Sequence, residues 1–347
     1  MKAGVYLGPG RIRVAEVPDA TLVEPTDALV RVTHAGICGS DLWVYRGELE
    51  LYGPAPSRVG HEFLGLVEAV GAEVRGVRPG QPVIAPYTFS DGTCELCDAG
   101  LPTLCRAGGF FGGASDGGQG EAVRVPLADG TLVPLPGVDL SDDRLAASLA
   151  TLTDVMGTGH HGALVSGVGP GGTAVVVGDG AVGLCAVLAA RRLRAERVIV
   201  VGHHHHRLAV AQRFGATEVV RERGAAAVER VRELTGGGSA HVIECVGTAA
   251  AFATAIGCAA ARGTVGHVGS PVEAIDLRDA HIRNVRLAGG RAPVRHYIPE
   301  LLEDVLAGQL DPSPVMDLSV GLDDIPAGYA AMDGRRAIKV LVRVDAA

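Results

Sequence analysis

No run of like charges interrupts the 347-residue sequence, which excludes the basic stripes and acidic tails that engage nucleic acid or anionic membranes. Thirty-one basic against thirty-nine acidic residues leave a formal net charge of -8. No apolar stretch is long enough to span a bilayer, and Met1-Lys2-Ala3-Gly4-Val5-Tyr6 lacks the basic, apolar and cleavage-site sections of a secretory leader. These absences predict a soluble, cytoplasmic protein with neither a nucleic-acid nor a membrane partner. No internal repeat is visible, and the 50 glycines have no period, so solenoid, collagen-like and low-complexity structures are excluded. Tryptophan occurs once, at Trp43. The 7 cysteines are odd in number, and three fall between residues 94 and 105, a pattern of metal binding in a reducing compartment and not of a disulfide framework.

What is present is apolar and long enough for two domains: 47% of residues are hydrophobic. Up to about residue 150, short β-branched segments alternate with turns, as in Ala28-Leu29-Val30-Arg31-Val32 and Gly65-Leu66-Val67-Glu68-Ala69-Val70, predicting an all-β region. From Thr173 the rhythm becomes strand, helix, strand: Ala174 to Val177, Ala181 to Arg192, Arg197 to Val201, then a helix from about His204 to Phe214. Further strands at Val242 to Val246 and Thr264 to Val268 predict a doubly wound parallel sheet. The tail offers a helix, Ile298 to Leu306, and a strand, Ile338 to Val342, which needs the earlier β-rich domain as host. The expected organisation is therefore a discontinuous domain, residues 1–157 plus 293–347, carrying an inserted nucleotide domain, residues 158–292.

Gly178-Asp179-Gly180-Ala181-Val182-Gly183 fits G-x-G-x-x-G between a buried strand and a helix. Such glycines allow a tight turn and let the backbone approach a pyrophosphate, whose charge meets the free N–H groups of the helix N-terminus. Cys38, His61 and Asp154 offer a thiolate, an imidazole and a carboxylate, a set that holds zinc with one position open. Spacing alone does not bring these three together, and each taken singly is compatible with a structural role.

The segments Gly36-Ile37-Cys38-Gly39-Ser40-Asp41, Gly60-His61-Glu62-Phe63-Leu64-Gly65, Asp154 with Thr158-Gly159-His160-His161, the glycine turn and Gly215-Ala216-Thr217 together resemble the zinc-containing alcohol dehydrogenases of the medium-chain dehydrogenase/reductase superfamily. The resemblance covers nearly the whole chain. It implies a Rossmann domain inserted in a β-rich GroES-like catalytic domain. It implies that Cys38, His61 and Asp154 ligate a catalytic zinc, that Glu62 approaches the metal transiently, that Asp41 orients the zinc histidine, and that Ser40 passes the substrate proton. Thr158, Val246 and Gly269-Ser270 resemble nicotinamide-side contacts, and Ser40, Trp43, Tyr87, Phe110 and Arg291 match the substrate pocket.

Two departures carry information. Many members have a histidine five positions after the zinc cysteine as a proton relay; here the residue is Trp43, so the expected path runs from Ser40 through the cofactor ribose to water. In the segment resembling the structural zinc lobe, Asp91 replaces the first of four cysteines, leaving Cys94, Cys97 and Cys105 and a chemically reasonable Cys3Asp site. Cys185, Cys245 and Cys258 read as small buried hydrophobes. The run His203-His204-His205-His206 reads as ribose contact or solvent exposure in preference to a metal site, because four neighbouring rings cannot all face one ion.

The function expected is hydride transfer between an alcohol, ketone or aldehyde and a nicotinamide cofactor, with a catalytic and a structural zinc. A zinc-free quinone or enoyl reductase, or a non-enzymatic nucleotide-binding protein, are the competing readings. NADP(H) is expected over NAD(H): the second strand ends in Gly202 and His203 with no acid to receive the ribose, and His203, His204 and Arg207 can meet a 2′-phosphate. Assembly as a homodimer or homotetramer is expected through strand edges near Val285-Arg286-Leu287.

Overall fold

A computed structural model describes residues 1–113, 115–270 and 273–344. The chain divides into two compact units, Met1–Asp154 joined by the chain from Pro293, and Val155–Ala292.

The first unit is built on the strand Ala28–Ile37, which pairs antiparallel with Glu62–Val70 on one side and Lys339–Arg343 on the other. Ala28, Val30 and Val32 are buried in alternation, as a sheet with one face in a core requires, whereas Ala35, Gly36 and Ile37 are all buried. The full sheet has seven strands among the described residues, the outermost being Val133–Pro134 and Met316–Gly321. Its face packs against Phe63, Phe89, Phe111, Leu132, Ile325 and Tyr329, so a mainly aliphatic core is completed by a few aromatic rings.

The all-β expectation for this stretch needs correction, because helices lie within it, two of them of eight residues or more. The helix Gly39–Arg46 spans only 8 residues, too short for a 3.6-residue period to show, and ends at Gly47 in the left-handed region at φ 77. Asp41 starts it by accepting the backbone N–H of Cys38 at 2.9 Å. The helix Asp143–Leu152 is capped by the Asp142 carboxylate, which accepts from the N–H groups of Arg144 and Leu145 at 3.0 Å. In the tail, the helix Val294–Leu306 begins a turn earlier than Ile298 and runs through Pro299.

The second unit is a six-stranded sheet among the described residues, all pairs parallel, in the order Glu218–Val220, Arg197–Val201, Thr173–Val177, Ser239–Glu244, Ala259–His267, Arg286–Gly289. Val175, Val177, Ile199, Val242 and Val265 fill its centre, the β-branched composition expected of strands covered on both faces. The fourth strand ends at Glu244, so Val246 lies in the following turn and not in the strand. Cys185 and Cys258 are fully buried as small apolar groups, but Cys245, just past the strand end, is only half-buried.

Candidate functional site

Cys38 follows the central strand of the first unit, and His61 and Glu62 open the neighbouring antiparallel strand, with Glu62 directly opposite Gly36. Gly36 has no substitute here, because a Cβ on it would collide with the Glu62 carboxylate. Asp154 follows the helix Asp143–Leu152, whose end is tied down by Tyr87 N–H donating to Thr153 O at 3.0 Å. These elements bring one donor atom each from Cys38, His61, Glu62 and Asp154 within 4.8 Å of one another. Asp154 Oδ2 lies 3.3 Å from Cys38 Sγ and 3.4 Å from His61 Nε2.

Around this group the protein is unusually well hydrogen-bonded. The Asp41 carboxylate faces His61 Nδ1 at 3.1 Å and also accepts from Cys38 N–H, from Gln119 Nε2 at 3.3 Å and from the Tyr52 hydroxyl. Tyr329 donates its hydroxyl to Gln119 Oε1 at 3.1 Å, which fixes the amide. Glu62 is turned toward Lys339, whose Nζ lies 2.5 and 2.7 Å from the two carboxylate oxygens and 3.2 Å from Ile37 O; both side chains are fully buried. Ser40 Oγ stands 3.4 Å from His61 Nε2. Phe110 and Tyr87 wall the imidazole, their ring centres 4.7 and 6.3 Å from its own. Trp43 is half-buried on the same helix, one turn from Ser40, with the Arg46 guanidinium 5.6 Å above its ring, and is not a core residue.

The electrostatics call for a cation. Burial, then the neighbouring carboxylates of Asp154 and Glu62, push the Cys38 thiol up to about 11. Burial also raises Glu62, against the pull of Lys339. For His61, burial alone would disfavour the charged ring, but Asp41 and then Asp154 outweigh it and hold the group well above its ordinary value. A thiol, an imidazole and a carboxylate compressed into one buried pocket fit zinc, whose tetrahedral ligands at about 2.0–2.3 Å lie about 3.3–3.8 Å apart.

The second donor group is local. Cys94 Sγ lies 3.6 Å from Cys97 Sγ and 3.9 Å from Cys105 Sγ, and all three sulfurs and an Asp91 oxygen are within 4.8 Å of one another. The Asp91 side chain accepts the N–H groups of Thr93 and Cys94 at 2.8 and 3.0 Å, which depresses its carboxyl. Sulfurs around one zinc are about 3.8 Å apart, so the lobe also fits the metal. The Cys97 thiol, pushed up to about 12 by burial and then by Cys94, keeps its proton unless a cation is present.

In the second unit, the helix Ala181–Arg192 starts at Gly180 without a side-chain cap, leaving its first N–H groups available. A Cβ on Gly180 would meet nothing within 4 Å, the open space a pyrophosphate needs, whereas one on Gly183 would collide with Gly178 O. Gly178 itself is left-handed at φ 118. Val246 and Gly269 are adjacent, since a Cβ on Gly269 would come within 2.6 Å of Val246 backbone atoms. Ser270 is exposed beside them, while Thr158 is buried on the helix Val155–Val165 and Arg291 is exposed. The space beside Gly202 is taken by Asp179, whose Cβ would be 2.6 Å from a Cβ at 202. Arg207 is mostly covered, its Nη1 4.0 Å from Asp179 Oδ1.

Sequence reasoning missed Lys339, Tyr52, Gln119 and Tyr329. Only Lys339 left a signal, as a lysine at the head of the apolar terminal strand Lys339–Arg343. Among the described residues, no helix is long and apolar enough to cross a membrane.

Comparison with known proteins agrees with this geometry. Residues 24–137 match the alcohol dehydrogenase GroES-like domain, and residues 181–307 match the zinc-binding dehydrogenase domain. An alcohol dehydrogenase of Cupriavidus necator is 33% identical over 374 residues, covering 99% of this chain and 98% of its own length. The alcohol dehydrogenase of a Thermus species superposes with a TM-score of 0.89 at 34% identity, covering 99% of this chain and 100% of its own. A zinc-binding dehydrogenase from Sinorhizobium meliloti, solved bound to NADP, superposes with a TM-score of 0.84 at 29% identity, over 99% and 98% of the two chains. The zinc-free reductase and the non-enzymatic readings yield to these relatives. With a GroES-like domain carrying a Rossmann insertion, the chain belongs to the zinc-dependent alcohol dehydrogenases of the medium-chain dehydrogenase/reductase superfamily.

Proposed function

We propose that Cys38, His61 and Asp154 hold the catalytic zinc of an NADP(H)-dependent alcohol dehydrogenase or carbonyl reductase, and that Asp91, Cys94, Cys97 and Cys105 hold a second, structural zinc. The observation that carries the first assignment is the meeting of three ligand types around Asp154 Oδ2, at 3.3 and 3.4 Å. Zinc bound there supplies a Lewis acid that polarises a carbonyl or makes an alcohol acidic enough to ionise near neutral pH. The dinucleotide carries the hydride.

The protein's own residues do the rest. Asp41 holds the His61 ring in one tautomer, with Nε2 left to ligate. Ser40 would hand the substrate proton onward, and Trp43 occupies the position of a histidine relay. Lys339 keeps Glu62 turned away from the three ligands while leaving it close enough to exchange with them. Tyr87 and Phe110, packed at the imidazole, favour a substrate with an apolar body.

In the second unit, Gly178, Gly180, Ala181, Val182 and Gly183 receive the pyrophosphate, and Thr158, Val246, Gly269 and Ser270 receive the nicotinamide side. NADP(H) preference is supported by the absence of an acid at the end of the strand Arg197–Val201. It is also supported by Asp179, whose Oδ2 is already engaged by His203 and His204 N–H at 2.8 and 2.9 Å. His203, His204 and Arg207 face the 2′-phosphate. The exposed edge strand Arg286–Gly289, with Leu287 open to solvent, supports pairing of chains into a homodimer or homotetramer. Free thiols, four of them in the two donor groups, support a cytoplasmic location.

The test is a panel of alcohols and carbonyls with both cofactors on metal-analysed protein. NADP(H) should show a kcat/KM advantage of about tenfold or more, and an equal advantage for NAD(H) would overturn the preference.

A further inference from the structure

Outside the two donor groups of the first unit, one more set of ligand-bearing side chains converges among the described residues. Asp179, His203 and His204 bring a carboxylate oxygen and two imidazole nitrogens within 4.8 Å of one another. The sequence hides this meeting, because Asp179 belongs to the glycine turn and the histidines to the end of the second strand. Backbone pairing closes the gap: Gly178 N–H donates to Val201 O at 3.0 Å, and Gly202 lets the Asp179 side chain lie directly against it.

The Asp179 carboxylate is 6% exposed, and its Oδ2 is fixed by the N–H groups of His203 and His204. His204 Nδ1 lies 3.0 Å from both carboxylate oxygens. The His203 ring lies tilted against that of His204, centre to centre 4.2 Å, and is exposed, so the group opens to solvent on one side. Two imidazoles and a carboxylate form a borderline donor set, which prefers nickel, copper, cobalt or zinc to magnesium or calcium. Neighbouring ligands at about 2.1 Å from one ion and at right angles are about 3.0 Å apart, the separation already present between His204 and Asp179. To ligate through Nδ1, His204 must carry its ring proton on Nε2, one of the two tautomers open to an imidazole.

We propose that Asp179, His203 and His204 form a further binding site for a divalent transition-metal ion, in the second unit and separate from both zinc positions of the first. Its consequence rests on the cofactor placement proposed above. An ion held here occupies the imidazoles that face the adenosine ribose, so the metal and the dinucleotide compete, and the site acts as a metal-sensitive brake on the enzyme.

The experiment is calorimetric titration of the zinc-loaded, dinucleotide-free enzyme with Ni²⁺. Three proteins are compared, all checked for an unchanged melting profile: the unsubstituted chain, His203→Gln/His204→Gln and His205→Gln/His206→Gln. The first and third should bind about one Ni²⁺ per chain with similar affinity, and the second should bind about tenfold more weakly or worse. Binding lost only in the His205→Gln/His206→Gln protein would show the exposed histidines acting as a flexible tag, and would overturn the site. So would unchanged binding in the His203→Gln/His204→Gln protein. A second measurement needs no variant: Ni²⁺ should protect His203 and His204 from acylation by diethylpyrocarbonate, mapped by mass spectrometry, and protection of His205 and His206 alone would overturn the proposal. A final arm separates the two readings. Rising Ni²⁺ should raise the apparent Kd for NADP(H); if Ni²⁺ binds through His203 and His204 without doing so, the metal site stands and the cofactor placement falls.

Discussion

The two donor groups of the first unit are alike in number and opposite in construction. Cys38, His61, Glu62 and Asp154 come from three distant segments and three of the four are buried, whereas Asp91, Cys94, Cys97 and Cys105 lie within one short stretch and are all partly exposed. The buried group exists only when the sheet is complete, and its ligands are held by Asp41, Gln119, Tyr52 and Lys339. The lobe is held by local turns, such as the Asp91 side chain accepting Thr93 N–H. A ligand set assembled by tertiary structure is positioned before any metal arrives, which suits chemistry that tolerates little misplacement. A set assembled by a loop gains its order from the metal, which suits a structural role.

The strongest way to break this contrast is to remove one ligand from each group. Cys38→Ser should lose the buried metal and lower kcat/KM by about a thousandfold or more, with the melting temperature little changed. Cys38→Ser protein that retained full, chelator-resistant turnover would sink the catalytic assignment. Removing the counter-ion is next in size: Lys339→Met leaves Glu62 buried and unpaired, and should cost about 3–5 kcal/mol in a denaturant titration. A cost below about 1 kcal/mol would mean that Glu62 is neutral or solvated without its partner.

Tyr52→Phe sharpens the comparison without deleting a ligand. It removes the hydroxyl donor to Asp41, and should weaken the buried metal about tenfold to a hundredfold against a competing chelator, leaving the lobe metal unaffected. In the lobe, mild chelation should take total zinc from about two per chain to about one, lower the melting temperature by several degrees and leave initial kcat nearly intact. Equal loss of both metals at one rate would erase the distinction in exposure.

The smallest effect comes from a carboxylate outside both groups. Burial alone would raise Asp27, but Arg124 at 2.5 Å and the N–H groups of Glu24 and Val23 outweigh it and hold its carboxyl below the usual value. Because the folded value is depressed, the stabilisation is full above the unfolded value of about 3.9 and is lost as pH falls through the folded value. Asp27→Asn should therefore flatten the acid limb of the stability curve, by about 1–2 kcal/mol, while metal content at pH 7 stays unchanged.

Much of this arrangement was legible in the residues. The glycine turn announces itself because strand, turn and helix are consecutive, and Cys94, Cys97 and Cys105 do so because a loop-borne site keeps its spacing in sequence. Cys38, His61 and Asp154 were readable only through their flanking segments, since 116 residues separate the first from the last. Beyond Asp41 and the lysine heading the terminal strand, the supporting network was not readable. Tyr52, Gln119 and Tyr329 sit in unrelated segments, and only the packing of three elements makes an Asp41 partner of the first two. Nothing in the strand reveals that Asp179 fills the space beside Gly202. The helix Gly39–Arg46 was hidden by its brevity, although Asp41 three residues after Cys38 is a usable start signal.

The strand Lys339–Arg343 has a consequence for the order in which the molecule is made. It lies between Ala28–Ile37 and Met316–Gly321, inside the sheet and not at its edge. On the ribosome, the second unit emerges as one uninterrupted stretch, Val155–Ala292, and has every strand of its sheet available about fifty residues before Lys339 is synthesised. The first unit must wait, with Cys38, His61 and Asp154 already out of the tunnel and only the His34–Ile37 end of the central strand still lacking the partner that Lys339–Arg343 brings, since Ala28–Arg31 already pairs with Ala122–Val125. Until Lys339 arrives, Glu62 has no buried cation to meet, and burying its charge alone is costly. The last described strand of the chain is thus the closing step of the active site, and a nascent chain stalled before it would be a folded nucleotide domain with an open sheet attached.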